Sequence, residues 1–283
     1  MHLIILSASL LTTWFIRRNA SISTGKFSTR WHQTLFLFLF PPLLIFTTAV
    51  ALLCMGTQGK MGIWQTGSIS YALALGSLLI FLILLVKLAS QGLHSIHSVN
   101  KCAETKLGEQ NVRLLDTQAL FAGQIGFWKS ELIISKGLLQ SLSPAHLETV
   151  LAHEQGHYYY HDTFWFFWLG WMRECTAWLP NTGVLWEELL ILRELRADAY
   201  AISRVDNLLL AESLLLVVSG QTQSEIGTEI FCAALDSSSH GKRLEQRIEA
   251  LLNQQESINT HSSQYWHYFL LALLPLITVL FHQ

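Results

Sequence analysis

Acidic residues are missing from both ends of this 283-residue chain: none precedes Glu104 and none follows Glu256. Charge of either sign is scarce, at 13% of residues against roughly 25% in an ordinary soluble domain. That scarcity excludes an intrinsically disordered chain, which needs low hydrophobicity and high charge. A net charge of -2 with no Lys/Arg-rich run argues against a nucleic-acid partner, whose binder carries a basic footprint. Cysteine is also sparse. Cys54, Cys102, Cys175 and Cys232 lie far apart and form no CxxC pair, so neither a disulfide framework nor a thiolate zinc ribbon is expected. Reduced and mostly buried thiols are the expectation.

What replaces charge is long apolar runs. Residues 34–55 contain no charged side chain and, as a helix rising 1.5 Å per residue, reach about 33 Å, enough for a hydrocarbon core of about 30 Å. Residues 68–87 form a similar run closed by Lys87. A last run, within 263–283, is flanked by Tyr265, Trp266 and His282, side chains suited to a membrane interface. Pro41, Pro42 and Pro275 fall inside such runs and are tolerated where neighbouring helices bond the freed carbonyls. Residues 3–16 are shorter. They read either as a first span with the N-terminus outside or as a cleaved signal, but their positive charge, Arg17-Arg18, follows the run, whereas a signal carries it in front.

Arg17, Arg18, Lys26 and Arg30 lie between the first two runs and only Lys60 between the next two, so the positive-inside rule puts the first loop in the cytoplasm. The expectation is a mainly α, polytopic membrane protein with about four transmembrane helices. Residues 1–90 hold three spans, residues 91–262 a cytoplasmic domain, and residues 263–283 the fourth span, in a bacterial-type plasma membrane. Residues 164–179, with Trp165, Trp168, Trp171 and Trp178, are too short and too charged for a span. An interfacial helix, a core helix and a re-entrant segment all fit them.

Ser143-Pro144 opens a helix as N-cap and first helical residue. That helix runs into His153-Glu154-Gln155-Gly156-His157, an HExxH. Spacing i, i+4 puts both imidazoles on one face, able to share a tetrahedral Zn2+, with Glu154 beside the open position as base. Catalytic zinc usually takes a third protein ligand. A second helix, expected over Trp186–Ser203, offers Glu194 as that ligand and Asp198, one turn on, to fix a histidine tautomer. Glu187 is the rival ligand, and a solvated charged face is the bland alternative. His161 extends the histidine series on the first helix, about 6 Å beyond His157 along the axis, as a supporting or interface residue rather than a ligand.

The His153-Glu154-x-x-His157 motif, the Tyr-Tyr-Tyr-His161-Asp162 tail, Glu194-x-x-x-Asp198 and the upstream Phe121-Ala122-Gly123…Phe127-Trp128-Lys129…Ser135-Lys136-Gly137-Leu138-Leu139 run together resemble the HExxH…ExxxD membrane zinc metallopeptidases of the Ste24/HtpX group. They are still more similar to the beta-lactam-sensor (BlaR/MecR) type, whose layout places the peptidase between spans three and four. The resemblance implies an α+β zincin-like peptidase domain with a small sheet, and Zn2+ held by His153, His157 and Glu194. It makes Glu154 the catalytic base and acid, and Asp198 and Asp162 the residues supporting the ligands. Phe121, Ala122 and Gly123 would belong to an edge strand to which an extended protein or peptide substrate adds. His240 and Arg247 resemble a later His/Arg pair that stabilises the oxyanion or binds substrate, although their spacing is one residue longer than the family's and a polar loop with an amphipathic helix fits the segment as well. Beta-lactam sensing is not carried over, because nothing resembling a ligand-sensing domain follows the fourth run. The activity implied is a membrane metalloendopeptidase, acting generally or as an antirepressor-type signalling protease. A non-catalytic zinc scaffold in the lipid bilayer is the alternative from another class.

Overall fold

The structure is a computed structural model that describes residues 2–22, 25–56, 60–61, 64–65, 68–107, 110–221, 240–253 and 266–281. It is mainly helical with a small mixed sheet. The N-terminal helices are α1 (His2–Arg18), α2 (Phe27–Met55) and, after a short β1–β2 hairpin (Lys60–Met61, Trp64–Gln65), α3 (Ser68–Val99). Four strands follow, β3 (Ala103–Leu107), β4 (Gln110–Leu115), β5 (Ala122–Ile125) and β6 (Glu131–Ser135), then α4 (Lys136–Ser141) and α5 (Pro144–Tyr159). The chain continues through α6 (Asp162–Cys175), α7 (Thr182–Ile202), α8 (Asn207–Gln221) and α9 (His240–Leu252). Residues 266–281 alternate between four-residue α and 3-10 pieces around Pro275.

Of these helices, α2 and α3 are long and apolar enough to cross a membrane. Both extend past the expected runs: α2 begins at Phe27 and α3 continues beyond Lys87 to Val99. Helix α1 covers the first run in 17 residues. Inside α2, Pro41 and Pro42 lack the N–H groups that would bond the carbonyls four residues back. One of the two, the Phe38 carbonyl, accepts instead from the Arg17 guanidinium at 3.1 Å, and the same guanidinium lies over the Phe38 ring. Arg17 is fully buried, so a cation of α1 answers a carbonyl freed by a proline of α2.

The chain divides into two compact units. One comprises Met1–Leu88, Leu169–Leu189 and Thr260–Gln283, and the other Ala89–Trp168 and Leu190–Asn259. The expected domain was the contiguous stretch 91–262, whereas residues 169–189 group with the apolar helices. Local packing explains this: the Trp171 indole donates to the Phe81 carbonyl of α3 at 2.9 Å, and Ile45, Phe81, Cys175 and Leu179 form one buried cluster. That geometry sets the Trp-rich segment against an apolar helix. Cys54, Cys102 and Cys175 are free thiols, while Cys232 lies outside the described residues.

In the second unit the strand order is β3-β4-β6-β5. Strand β6 is central, parallel to β4 and antiparallel to β5, and Ile133 and Ile134, which point to opposite faces, are both fully buried. Val112, Leu120, Leu132 and Ile134 form one core with Leu138, Leu142 and Val150, which seats α4 and α5 on the sheet. Strand β5, with Ala122 opposite Ile134 and Gly123 opposite Ile133, is the outer strand next to β6, and Phe121 immediately precedes it.

Candidate metal centre

Helix α5 starts as the sequence dictates. The Ser143 hydroxyl accepts from the His146 N–H, and Pro144 fills the first turn. The helix then delivers buried His153 and Glu154 and, one turn on, His157. Gly156 lets α7 close on this face: a β-carbon there would stand 3.0 Å from the Ala197 α-carbon, tight enough that the neighbouring helix would have to give by a few tenths of an ångström. The small pair Gly156 and Ala197 therefore draws Glu194 and Asp198 up to the two histidines. Helix α7 begins at Thr182, four residues before the expected start.

Three side chains able to hold a metal converge. His153 Nε2 and His157 Nε2 are 3.1 Å apart, Glu194 Oε2 is 3.4 Å from the former, and Glu194 Oε1 is 3.8 Å from the latter. Tetrahedral zinc with ligand bonds of about 2.0–2.1 Å separates its ligands by about 3.3 Å, so the donor set fits that ion. Among the described residues this trio is the one group of histidine, cysteine and carboxylate side chains with such spacing.

Each histidine is fixed from behind. His153 Nδ1 bonds Asp198 Oδ1 at 2.8 Å, and His157 Nδ1 bonds Asp162 Oδ2 at 2.7 Å. A carboxylate only accepts, so each Nδ1 carries a proton, which leaves each Nε2 as the atom that would bind a metal. Arginines then hold the carboxylates. Arg247 donates twice to Asp198 at 2.7 Å and reaches Glu194 Oε2 at 3.2 Å. Arg193 donates to Glu194 Oε1 at 2.7 Å and stacks on Phe166, while Arg196 bonds Asp162 and lies over Tyr160.

The charges follow from this ring. Burial opposes ionisation of Glu194, but Arg193, His157, His153 and Arg247 hold its carboxyl well below the usual carboxylate range. Asp198 is likewise lowered, against burial, chiefly by Arg247. For His153, burial and Arg247 both disfavour the imidazolium, yet the hydrogen bonds to Asp198 and Glu194 prevail and raise it to about 9.

The remaining expected residues fall as follows. The Gln124 amide of β5 donates to the Glu154 carbonyl at 3.3 Å, tying the outer strand to the HExxH helix. His161 is not on the α5 face: it occupies the turn between α5 and α6 with φ 52, exposed to solvent. The helix ends before it, so the histidine series stops at His157. Arg247 has its guanidinium engaged by two carboxylates rather than free for substrate. His240 is the first residue of α9, and its side chain lies outside the described residues. Glu187 is not a member of the converging trio. Sequence reasoning missed Arg193, Arg196, Gln124 and Gly156. Two of them carried a signal: an arginine directly before a candidate ligand, and a glycine inside a helix, which costs about 1 kcal/mol unless close packing requires it.

The model of peptidase family M48 matches residues 90–261. No curated protein and no solved structure matches the chain.

Proposed function

The chain belongs to peptidase family M48, a family of zinc-dependent metallopeptidases, and on that premise we propose that it is a membrane-embedded endopeptidase with His153, His157 and Glu194 as its zinc ligands. The observation that carries the reading is the convergence of two Nε2 atoms and one carboxylate at tetrahedral-zinc spacing. Bound zinc would supply Lewis acidity, lowering the pKa of the attacking water to about 7 and polarising the scissile carbonyl.

The chain's own residues do the rest. Glu154 accepts the water's proton and returns it to the leaving amine. Asp198 and Asp162 keep both imidazoles in the ligating tautomer. Arg247 and Arg193 are positioning residues that keep Glu194 ionised and aimed. An extended peptide adds to the outer edge of β5, and Gln124 holds that edge against α5.

Membrane embedding, with four spans and the active site on the cytoplasmic side, rests on the apolar lengths of α2 and α3 and on the loop charges Arg17, Arg18, Lys26 and Arg30 against Lys60. The Ste24/HtpX and sensor-type subgroup is part of the same reading, supported by the motif order. A closed structural zinc site would need four protein ligands, and the described cluster offers three, which favours catalysis over a scaffold.

The test uses the detergent-solubilised full chain. Wild type should bind about one zinc and cleave an unfolded protein substrate, losing activity to a chelator and regaining it with zinc. His157→Ala should lose the metal. Full zinc occupancy in His157→Ala would remove this ligand assignment.

A further inference from the structure

One group of exposed aromatic side chains lies on the turn that follows the outer strand. The turn joining β5 to β6 presents Phe127, Trp128 and Lys129 outward, with Trp128 71% exposed. Gly126, at φ 146, makes this turn possible, because a β-carbon there would strike the Lys129 carbonyl. The tip is packed from behind rather than loose. Phe127 packs edge-on against Phe164 and Phe167 at 5.0 Å, and Trp128 against Phe164 at 4.7 Å. Trp165, beside Phe164, is 57% exposed. No acidic residue occurs in 117–130 or in 163–173.

Exposed Trp and Phe packed beside a lysine, with the flanking carboxylates Glu131 and Asp162 paired to Arg113 and Arg196, is the chemistry that seats a protein in the headgroup zone. Indole and phenyl rings enter the acyl boundary while the ammonium reaches lipid phosphate. The covalent path favours the same occupant. Helix α6 carries Phe164 and Trp165 and passes directly into the apolar unit at Leu169, where Trp171 bonds a carbonyl of α3. The cluster is thus tethered within a few residues of a helix long and apolar enough to cross a bilayer.

We propose that the Phe127-Trp128-Lys129 turn, backed by Phe164 and Trp165, is an interfacial lipid anchor. It continues directly from β5, so it fixes the end of the substrate strand at the membrane surface and directs the enzyme toward peptide segments that emerge from the bilayer. The proposal rests on the membrane reading above.

The test is depth-dependent quenching in proteoliposomes of phosphatidylcholine with a minority of phosphatidylglycerol. The full chain, with its native cysteines replaced, carries one cysteine labelled with an environment-sensitive dye. The position is Trp128→Cys or, as a second variant, Lys129→Cys, with Ile83→Cys on α3 and Asp116→Cys, whose side chain is 85% exposed, as references. The proposal expects a blue-shifted dye at 128 and 129, quenched about twofold or more beyond the 116 reference by a nitroxide near the lipid headgroup. A dye at 128 as open to water as that at 116 overturns it. So does a dye shielded from both water and lipid quenchers, which would mark a protein partner instead. If the dye at 83 also escapes lipid quenching, the membrane reading itself has failed and the anchor falls with it.

Discussion

The two compact units hold themselves together in opposite ways. The unit built on α1, α2 and α3 relies on apolar burial and helical backbone bonds, and its few ionic contacts, such as Arg30 with Glu188 at 2.7 Å, are isolated. The unit containing α5 and the second half of α7 buries a connected ring of three arginines, two histidines and three carboxylates. Removing a methyl from the first loses only packing. Removing one member of the ring leaves its partners charged and buried. The candidate metal centre sits in the unit whose order costs most to disturb.

The sharpest way to break the comparison is Asp198→Ala. It strands Arg247 and frees the His153 tautomer, so destabilisation of about 3–5 kcal/mol and a loss of zinc affinity of about 10–100-fold are expected. Thermal unfolding of the metal-free protein and chelator competition measure the two. A mild effect would mean the ring is decoration. Gly156→Ala comes next. Its β-carbon meets the backbone of α7 at Ala197, and overpacking of about 1–3 kcal/mol should lower the melting temperature.

A pH-dependent effect follows from the raised imidazole of His153. In the metal-free protein its pairing with Asp198 and Glu194 stabilises fully below the unfolded value of about 6.5 and is lost as pH rises through about 9. Zinc must displace that proton, so its apparent affinity should climb across the same interval and level off above it. Titration by calorimetry at several pH values reads this directly. The smallest effect is expected in the other unit. Ile83→Ala, at an exposed position of α3, should change stability by no more than about 0.5 kcal/mol.

How much of this was legible depends on how local each feature is. The HExxH helix, its Ser143-Pro144 start and the i, i+4 pair Glu194 and Asp198 are written in short spacings, and those residues stand together in the structure. Asp162 was drawn only from resemblance, yet it meets His157 because the chain turns sharply at His161. That turn was not legible: nothing in Tyr-Tyr-Tyr-His marks a stop, and a histidine at positive φ has no strong sequence signal. The arginine pairings are not legible where they join distant segments, Arg247 to Asp198 and Arg196 to Asp162. The division of residues 91–262 between the two compact units is not legible for a related reason. Residues 169–189 look like part of a charged domain by composition, but Trp171 and Leu179 pack with α3.

Glu154→Gln is the most direct test of the central claim, because it removes the base while leaving every proposed ligand in place. Zinc content and cleavage are measured on the same purified preparation. The account predicts full zinc and cleavage reduced by several orders of magnitude, with substrate retained on the variant. Cleavage at the wild-type rate with full zinc would contradict it.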